Sequence, residues 1–150
     1  MKVVKVNGGE SKDFFDLCEK LQNFQYSIKP DLKEKGYILT DSLQDVTGFV
    51  LYIDNKPVGS IGLRKVKDDT CEIVRVFVDE SYRCKGYATM LFDKIETLAK
   101  ETGFKNLEIT AWCFADKAVR LYKKLNYICS EEKTSEWYGG YKYVELFKTI

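Results

Sequence analysis

A chain of 150 residues, 45% hydrophobic and 31% charged, is long enough to bury one core and is expected to form a single domain over residues 1–150. A net charge of +1 gives no field to gather nucleic acid or anionic lipid, and with no histidine a Ser-His-Asp or Cys-His nucleophile and any histidine-ligated metal are excluded. Five cysteines, odd in number and never spaced C-x-x-C, predict reduced thiols in the cytoplasm, with neither a disulfide framework nor a metal site.

The first residues alternate like a strand (3–6), lack the apolar run of a leader, and turn at Gly8-Gly9; no later segment is long enough to span a membrane. Ser11 is placed to cap a helix in which Phe14, Leu17, Cys18, Leu21 and Phe24 recur at three- and four-residue spacing. Residues 27–44 are polar and broken by Pro30 and Gly36, which predicts a loop with at most one weak helical turn. Asp31, Glu34, Asp41 and Asp45 make it acidic, either as a solvated loop or as a draw for a cationic substrate. Three strands follow at 48–53, 58–66 and 71–78, with short polar turns at 54–56 and 67–69, so they form an antiparallel meander.

The period then changes. Ala88, Leu91, Ile95 and Leu98 form the apolar stripe of a helix over 84–101, stopped by Gly103. A strand at 107–112 precedes a second helix from about Asp116, with Ala118, Leu121, Tyr122 and Leu125 on one face. Strands at 127–130 and 141–147, joined by a turn at Gly139-Gly140, close the chain. The predicted class is mixed α/β: a twisted, mostly antiparallel sheet of about seven strands, a parallel βαβ unit in its middle, and helices on both faces.

The most informative segment runs from Val76 to Ala88. An apolar strand ends, a short turn follows, and a helix begins with Arg83-Cys84-Lys85-Gly86-Tyr87-Ala88. The first N–H groups of a helix lack intrahelical partners and sit at the positive end of its dipole. Gly86 and Ala88 leave the backbone open, and Arg83 and Lys85 add charge, so the turn suits a diphosphate. A Walker loop fits poorly, because no Gly-Lys-Ser/Thr occurs, and a Rossmann loop fits poorly with one glycine.

This hexapeptide resembles the Gln/Arg-x-x-Gly-x-Gly/Ala signature of the GNAT N-acetyltransferase superfamily. Glu72 to Val78 is similar to that family's fourth strand, and Asp116 to Tyr127 to its second acetyl-CoA motif. Ala88 stands for the last glycine, Asp116 for a common Asn, and Asn126 for a usual Gly; Asp116 still suits a helix cap and Asn126 a left-handed helix end. The resemblance implies acetyl-CoA as cosubstrate, held by residues 83–88 together with Asp116, Ala118 and Tyr122, and by backbone amides near Val76, Phe77 and Val78. It also implies direct transfer to an amine in a ternary complex.

Tyr122, a phenol that stays protonated at neutral pH, is placed to donate to the departing thiolate, or else simply to pack in its helix's apolar stripe. Glu72, in an otherwise apolar strand, is the candidate base, directly or through water, or else a paired surface carboxylate. Cys84, between two cations, offers a covalent acetyl-cysteine route, against which the resemblance sets direct transfer. Trp137, Tyr138 and Tyr141 flank the last hairpin, where family members often line the acceptor pocket; their faces suit a cationic amine, and ordinary packing explains them as well. The acceptor is a small-molecule or peptide amine and the protein a monomer or homodimer. The competing readings are a non-catalytic acyl-CoA-binding module and a nucleotide-binding regulatory domain.

Overall fold

The computed structural model describes residues 1–150. Strand β1 (Lys2–Asn7) leads into α1 (Lys12–Ile28), which starts as expected because the Phe14 N–H donates to Ser11 Oγ at 3.1 Å. The polar stretch beyond it holds one short helix, α2 (Asp31–Glu34), and a 3-10 turn at Leu43–Asp45. Then β2 (Thr47–Ile53), β3 (Lys56–Lys67) and β4 (Thr70–Val78) form the predicted antiparallel meander. Asp54 and Asn55 take left-handed φ values of 50° and 62°, the two-residue turn whose twist matches the flanking strands.

Helix α3 (Tyr87–Thr102) crosses to β5 (Asn106–Trp112), which lies parallel to β4 and completes the βαβ unit. Helix α4 (Asp116–Lys124) ends as its sequence predicts. Asn126 has φ 73°, and the Tyr127 N–H reaches back to the Tyr122 carbonyl at 3.0 Å. The chain closes through β6 (Ile128–Cys129), β7 (Lys133–Thr134) and β8 (Lys142–Thr149). The sheet order is β1-β2-β3-β4-β5-β8-β6, with β7 also on β8, so there are eight strands where about seven were expected. The extra one is half of an interrupted strand, since β6 and β7 both run antiparallel to β8.

Helices cover both faces, as the apolar run in β3 requires: Val58 to Leu63 are all buried. On one face Phe14, Leu17 and Cys18 of α1 pack on Val50, Val74 and Phe77. On the other, Leu91, Phe92 and Ile95 of α3 and Tyr122 of α4 pack on Leu51, Ile61 and Ile73. Each large apolar side chain so buried contributes roughly 1.5–3 kcal/mol. Gly48 lets α1 settle this closely, because a Cβ there would lie 3.0 Å from the Phe14 ring and 2.4 Å from the Ile61 carbonyl oxygen of β3.

Two irregularities of β4 create the site. It pairs with β5 over three rungs only, Thr70↔Asn106, Cys71↔Leu107 and Glu72↔Glu108, and the strands then part. Farther on, β4 carries one residue more than β3 between the pairs Gly62↔Val74 and Ser60↔Phe77. The extra residue is a bulge at Arg75, with φ 58°, and the buried Ser60 hydroxyl donates to the Arg75 carbonyl at 2.9 Å.

Candidate active site

A cavity of about 1260 Å³ occupies the gap between the diverging strands. Its walls come from β4, β5, the second half of α1, residues 37–39, the starts of α3 and α4, and residues 134–138. Every sequence-predicted site residue lines it except Lys85 and Tyr141.

The segment before α3 differs from expectation. The helix begins at Tyr87, not at Cys84, because Cys84 (φ 62°) and Gly86 (φ 81°) are left-handed and turn the backbone twice before it can coil. No side chain caps this helix, and no acid sits in its first turn. The backbone N–H groups of Cys84, Lys85, Gly86, Tyr87, Ala88 and Thr89 donate to no protein acceptor; the first satisfied one is Met90, to the Gly86 carbonyl at 3.1 Å. A left-handed turn feeding an uncapped helix points successive amides at one place, a concavity for an anion. Arg83 braces it, with Nε donating to the Val78 carbonyl at 2.8 Å and the guanidinium 4.8 Å from the Phe24 ring centroid. Lys85 instead lies over the Tyr82 ring at 5.8 Å, outside the cavity wall.

Helix α4 also opens on the cavity uncapped. Its cap position is Ala115, and Asp116 is the first helical residue, so the expected capping role is corrected. The Asp116 carboxylate, in the first turn, pairs with Arg120 one turn on at 3.1 Å.

Tyr122 is 6% exposed, with its ring against Phe92 at 5.3 Å between centroids. Its hydroxyl has no protein hydrogen-bond partner and is not among the sealed polar atoms, and the residue lines the cavity. Burial pushes its pKa up, so it remains a donor at neutral pH. Glu72 is neither sealed nor alone: its side chain is 26% exposed, and Arg64 Nη2 donates to Oε1 at 3.0 Å. Oε2 is left without a protein partner.

A third part of the wall is aromatic. Trp112 stacks on Phe114 (5.7 Å, 13° between planes) and meets Tyr37 edge-on at 5.5 Å; Tyr37 in turn meets Tyr138 at 5.2 Å. Tyr138 and Trp137 line the cavity as expected, although Trp137 is 82% exposed and forms its rim. Tyr141 does not line it. Its hydroxyl donates to Asp31, and the Lys29 ammonium lies over its ring at 5.3 Å, which ties the last hairpin to α2 from outside. None of Asp31, Glu34, Asp41 and Asp45 lines the cavity.

The acetyltransferase (GNAT) family profile matches residues 13–127. The chain belongs to that family. Solved structures agree at the level of the fold. A candidate acyl-CoA N-acyltransferase from Klebsiella pneumoniae superposes with TM-score 0.77 at 16% identity, over 99% of this chain and 97% of that one. A GNAT acetyltransferase from Elizabethkingia anophelis with acetyl-CoA bound gives 0.72 at 16%, over 99% and 97%. The ribosomal-protein-alanine N-acetyltransferase of Brucella melitensis gives 0.72 at 9%, over the whole of both chains. The mixed α/β GNAT fold read from the sequence is therefore the fold observed.

Sequence reasoning missed several residues of this GNAT cavity. Tyr37, the neighbouring pair Trp112 and Phe114, and Tyr143 line it from three separate segments, and no local pattern joins the three. Arg75 could have been found, because an arginine inside the apolar run of residues 73–78 has no core partner to expect.

Proposed function

We propose that the protein transfers the acetyl group of acetyl-CoA to a primary amine by direct attack in a ternary complex. The observation that carries this is the run of unpartnered N–H groups from Cys84 to Thr89, opening on the same cavity as the unpaired edge of β4. A diphosphate fits that run on charge and on donor number, with Arg83 and Lys85 adding full charges near it. Beyond Glu72 no strand pairs with the β5-facing edge of β4, so Val76, Phe77 and Val78 offer backbone groups to an amide-bearing arm and a donor to a thioester oxygen.

Acetyl-CoA supplies an activated acyl carbon and a thiolate leaving group. The chain's own residues do the rest. An alkylamine with a reference pKa of about 10.4 arrives mostly protonated, and Glu72 Oε2, directly or through water, takes the proton. The Tyr122 hydroxyl, kept protonated by burial, donates toward the departing sulfur. Holding donor and acceptor side by side in one cavity supplies up to ~7–11 kcal/mol of the barrier reduction, so the proton handling can be modest.

The test is thiol release from acetyl-CoA over a panel of amines, with Tyr122→Phe beside the native protein. The variant is expected to bind acetyl-CoA normally and to turn over about a hundredfold more slowly. Unchanged turnover removes Tyr122 from the chemistry; absence of acetyl-CoA binding by the native protein removes the whole reading.

A further inference from the structure

Three arginines line the cavity. Arg64 is paired with Glu72, and Arg83 braces the anion loop. Arg75 has neither task. It occupies the β4 bulge at φ 58°, a left-handed backbone conformation that a non-glycine residue adopts only when its surroundings hold it there. Its Nε donates to the Leu39 carbonyl at 2.8 Å, which fixes the plane of the guanidinium. Nη1 and Nη2 donate to no protein atom, neither is sealed, and the residue lines the cavity. No carboxylate reaches it as an ion pair; Asp41 acts on it only from longer range, and Arg64 opposes it. Burial lowers its pKa, the mark of a cation stripped of water without being neutralised.

A half-buried guanidinium held by one nitrogen, with its other two unpartnered and unsealed in the wall of the cavity, is suited to take a carboxylate in two parallel hydrogen bonds. Beside it stands the edge-on cluster of Tyr37, Trp112 and Tyr138. These rings offer faces and edges for a flat apolar body. A polycationic acceptor would find the reverse of what it needs. The cavity's carboxylates are Glu72, Asp116 and Glu136, and the first two are already paired with arginines.

We propose that the acceptor is an amino acid with an aromatic or large apolar side chain, its carboxylate held by Arg75 and its side chain by Tyr37, Trp112 and Tyr138. This rests on the amine-transfer reading above and narrows it. The nitrogen–acetyl bond forms and the thioester carbon–sulfur bond breaks. Of the two protons that leave the ammonium nitrogen, one goes to solvent, and the balance of the other is met by the proton the sulfur gains. The products are the N-acetylamino acid, with its carboxylate unchanged, and the free thiol of coenzyme A.

The experiment compares thiol release with L-phenylalanine and L-tryptophan against phenethylamine and tryptamine, which keep the ring and amine but lack the carboxylate, and against spermidine. In the native protein the amino acids are expected to exceed the matched amines at least ~tenfold in kcat/KM, the effect of one charged bidentate contact. Arg75→Gln is expected to collapse that ratio toward one through a higher KM for the amino acids, with KM for acetyl-CoA unmoved. Matched amines or spermidine equal to or better than the amino acids overturn the proposal, as does an Arg75→Gln variant that keeps the ratio. Should that variant not fold, the native ratio decides alone. Failure of the amine-transfer reading looks different: acetyl-CoA binds, and no amine in the panel releases thiol.

Discussion

Replacing Gly86 by glutamate separates what the fold needs at this position from what an anion needs. Gly86 has φ 81°, and an added Cβ meets nothing within 4 Å, so the folded chain feels only the backbone preference, roughly 1–2 kcal/mol. The new carboxylate, however, stands among N–H groups that have no other acceptor. At roughly 5 Å from one phosphate charge and an effective dielectric near 20, the repulsion is about 3 kcal/mol, on the order of a hundredfold in affinity. Screening over a Debye length of ~8 Å returns part of this at physiological salt, so a loss of about 10- to 100-fold is expected. Titration calorimetry should be run with coenzyme A and with pantetheine, which lacks the diphosphate. The first is expected to weaken by that factor and the second to stay as in the native protein, with Gly86→Ala falling between. Coenzyme A affinity within about threefold of native, or pantetheine weakened as much, would refute the assignment of the loop.

Three further outcomes follow from the same geometry. Tyr52 donates to Asp13 at 2.6 Å, and burial with that bond pushes its pKa up to about 12, while Tyr127, buried and bonded to Glu96, is raised as well. The folded state therefore holds these protons longer than the unfolded chain, whose tyrosines titrate near 10, so stability present below about pH 10 is lost as pH climbs toward 12. Urea midpoints between pH 8 and 11.5 should fall, and fall less steeply in Tyr52→Phe. Cys84 is exposed, whereas Cys18 and Cys71 are buried with thiols pushed up to about 12, so iodoacetamide at pH 8 should label Cys84 first, and coenzyme A should slow that labelling. Equal labelling of the buried thiols, or no protection, would count against the site. Glu96, 15% exposed, accepts from Tyr127 at 2.7 Å and from Lys148 at 2.9 Å, tying α3 to β8 and the end of α4. Glu96→Ala leaves the buried Tyr127 hydroxyl without its acceptor and Lys148 with only the Leu125 carbonyl, and should cost about 2 kcal/mol in chemical denaturation.

The parts legible in the sequence were those with local signatures. Ser11 marked the start of α1, Asp54-Asn55 the first hairpin and Asn126 the end of α4, because each relies on a residue whose own chemistry favours that backbone. Gly86 marked the left-handed turn ahead of α3 for the same reason. The start of α3 was misplaced by three residues because Cys84 adopts a left-handed conformation that cysteine does not advertise. The bulge at Arg75 was hidden because a strand's alternation conceals one extra residue when both faces are apolar. The aromatic wall depends on separate segments meeting across the sheet, which no periodicity encodes, and Tyr141 was misassigned because its partner, Asp31, lies far away in the chain. Asp116 lost its expected cap role because α4 starts one residue earlier than an Asp cap requires, with Ala115 at the cap position, and its carboxylate pairs with Arg120 instead.

The most direct measurement is an amide-resolved NMR titration with coenzyme A. The N–H resonances of Cys84 through Thr89 are predicted to shift together and to gain protection from exchange, since each acquires the acceptor it lacks in the free protein. Saturation by coenzyme A with these six amides unmoved would contradict the account.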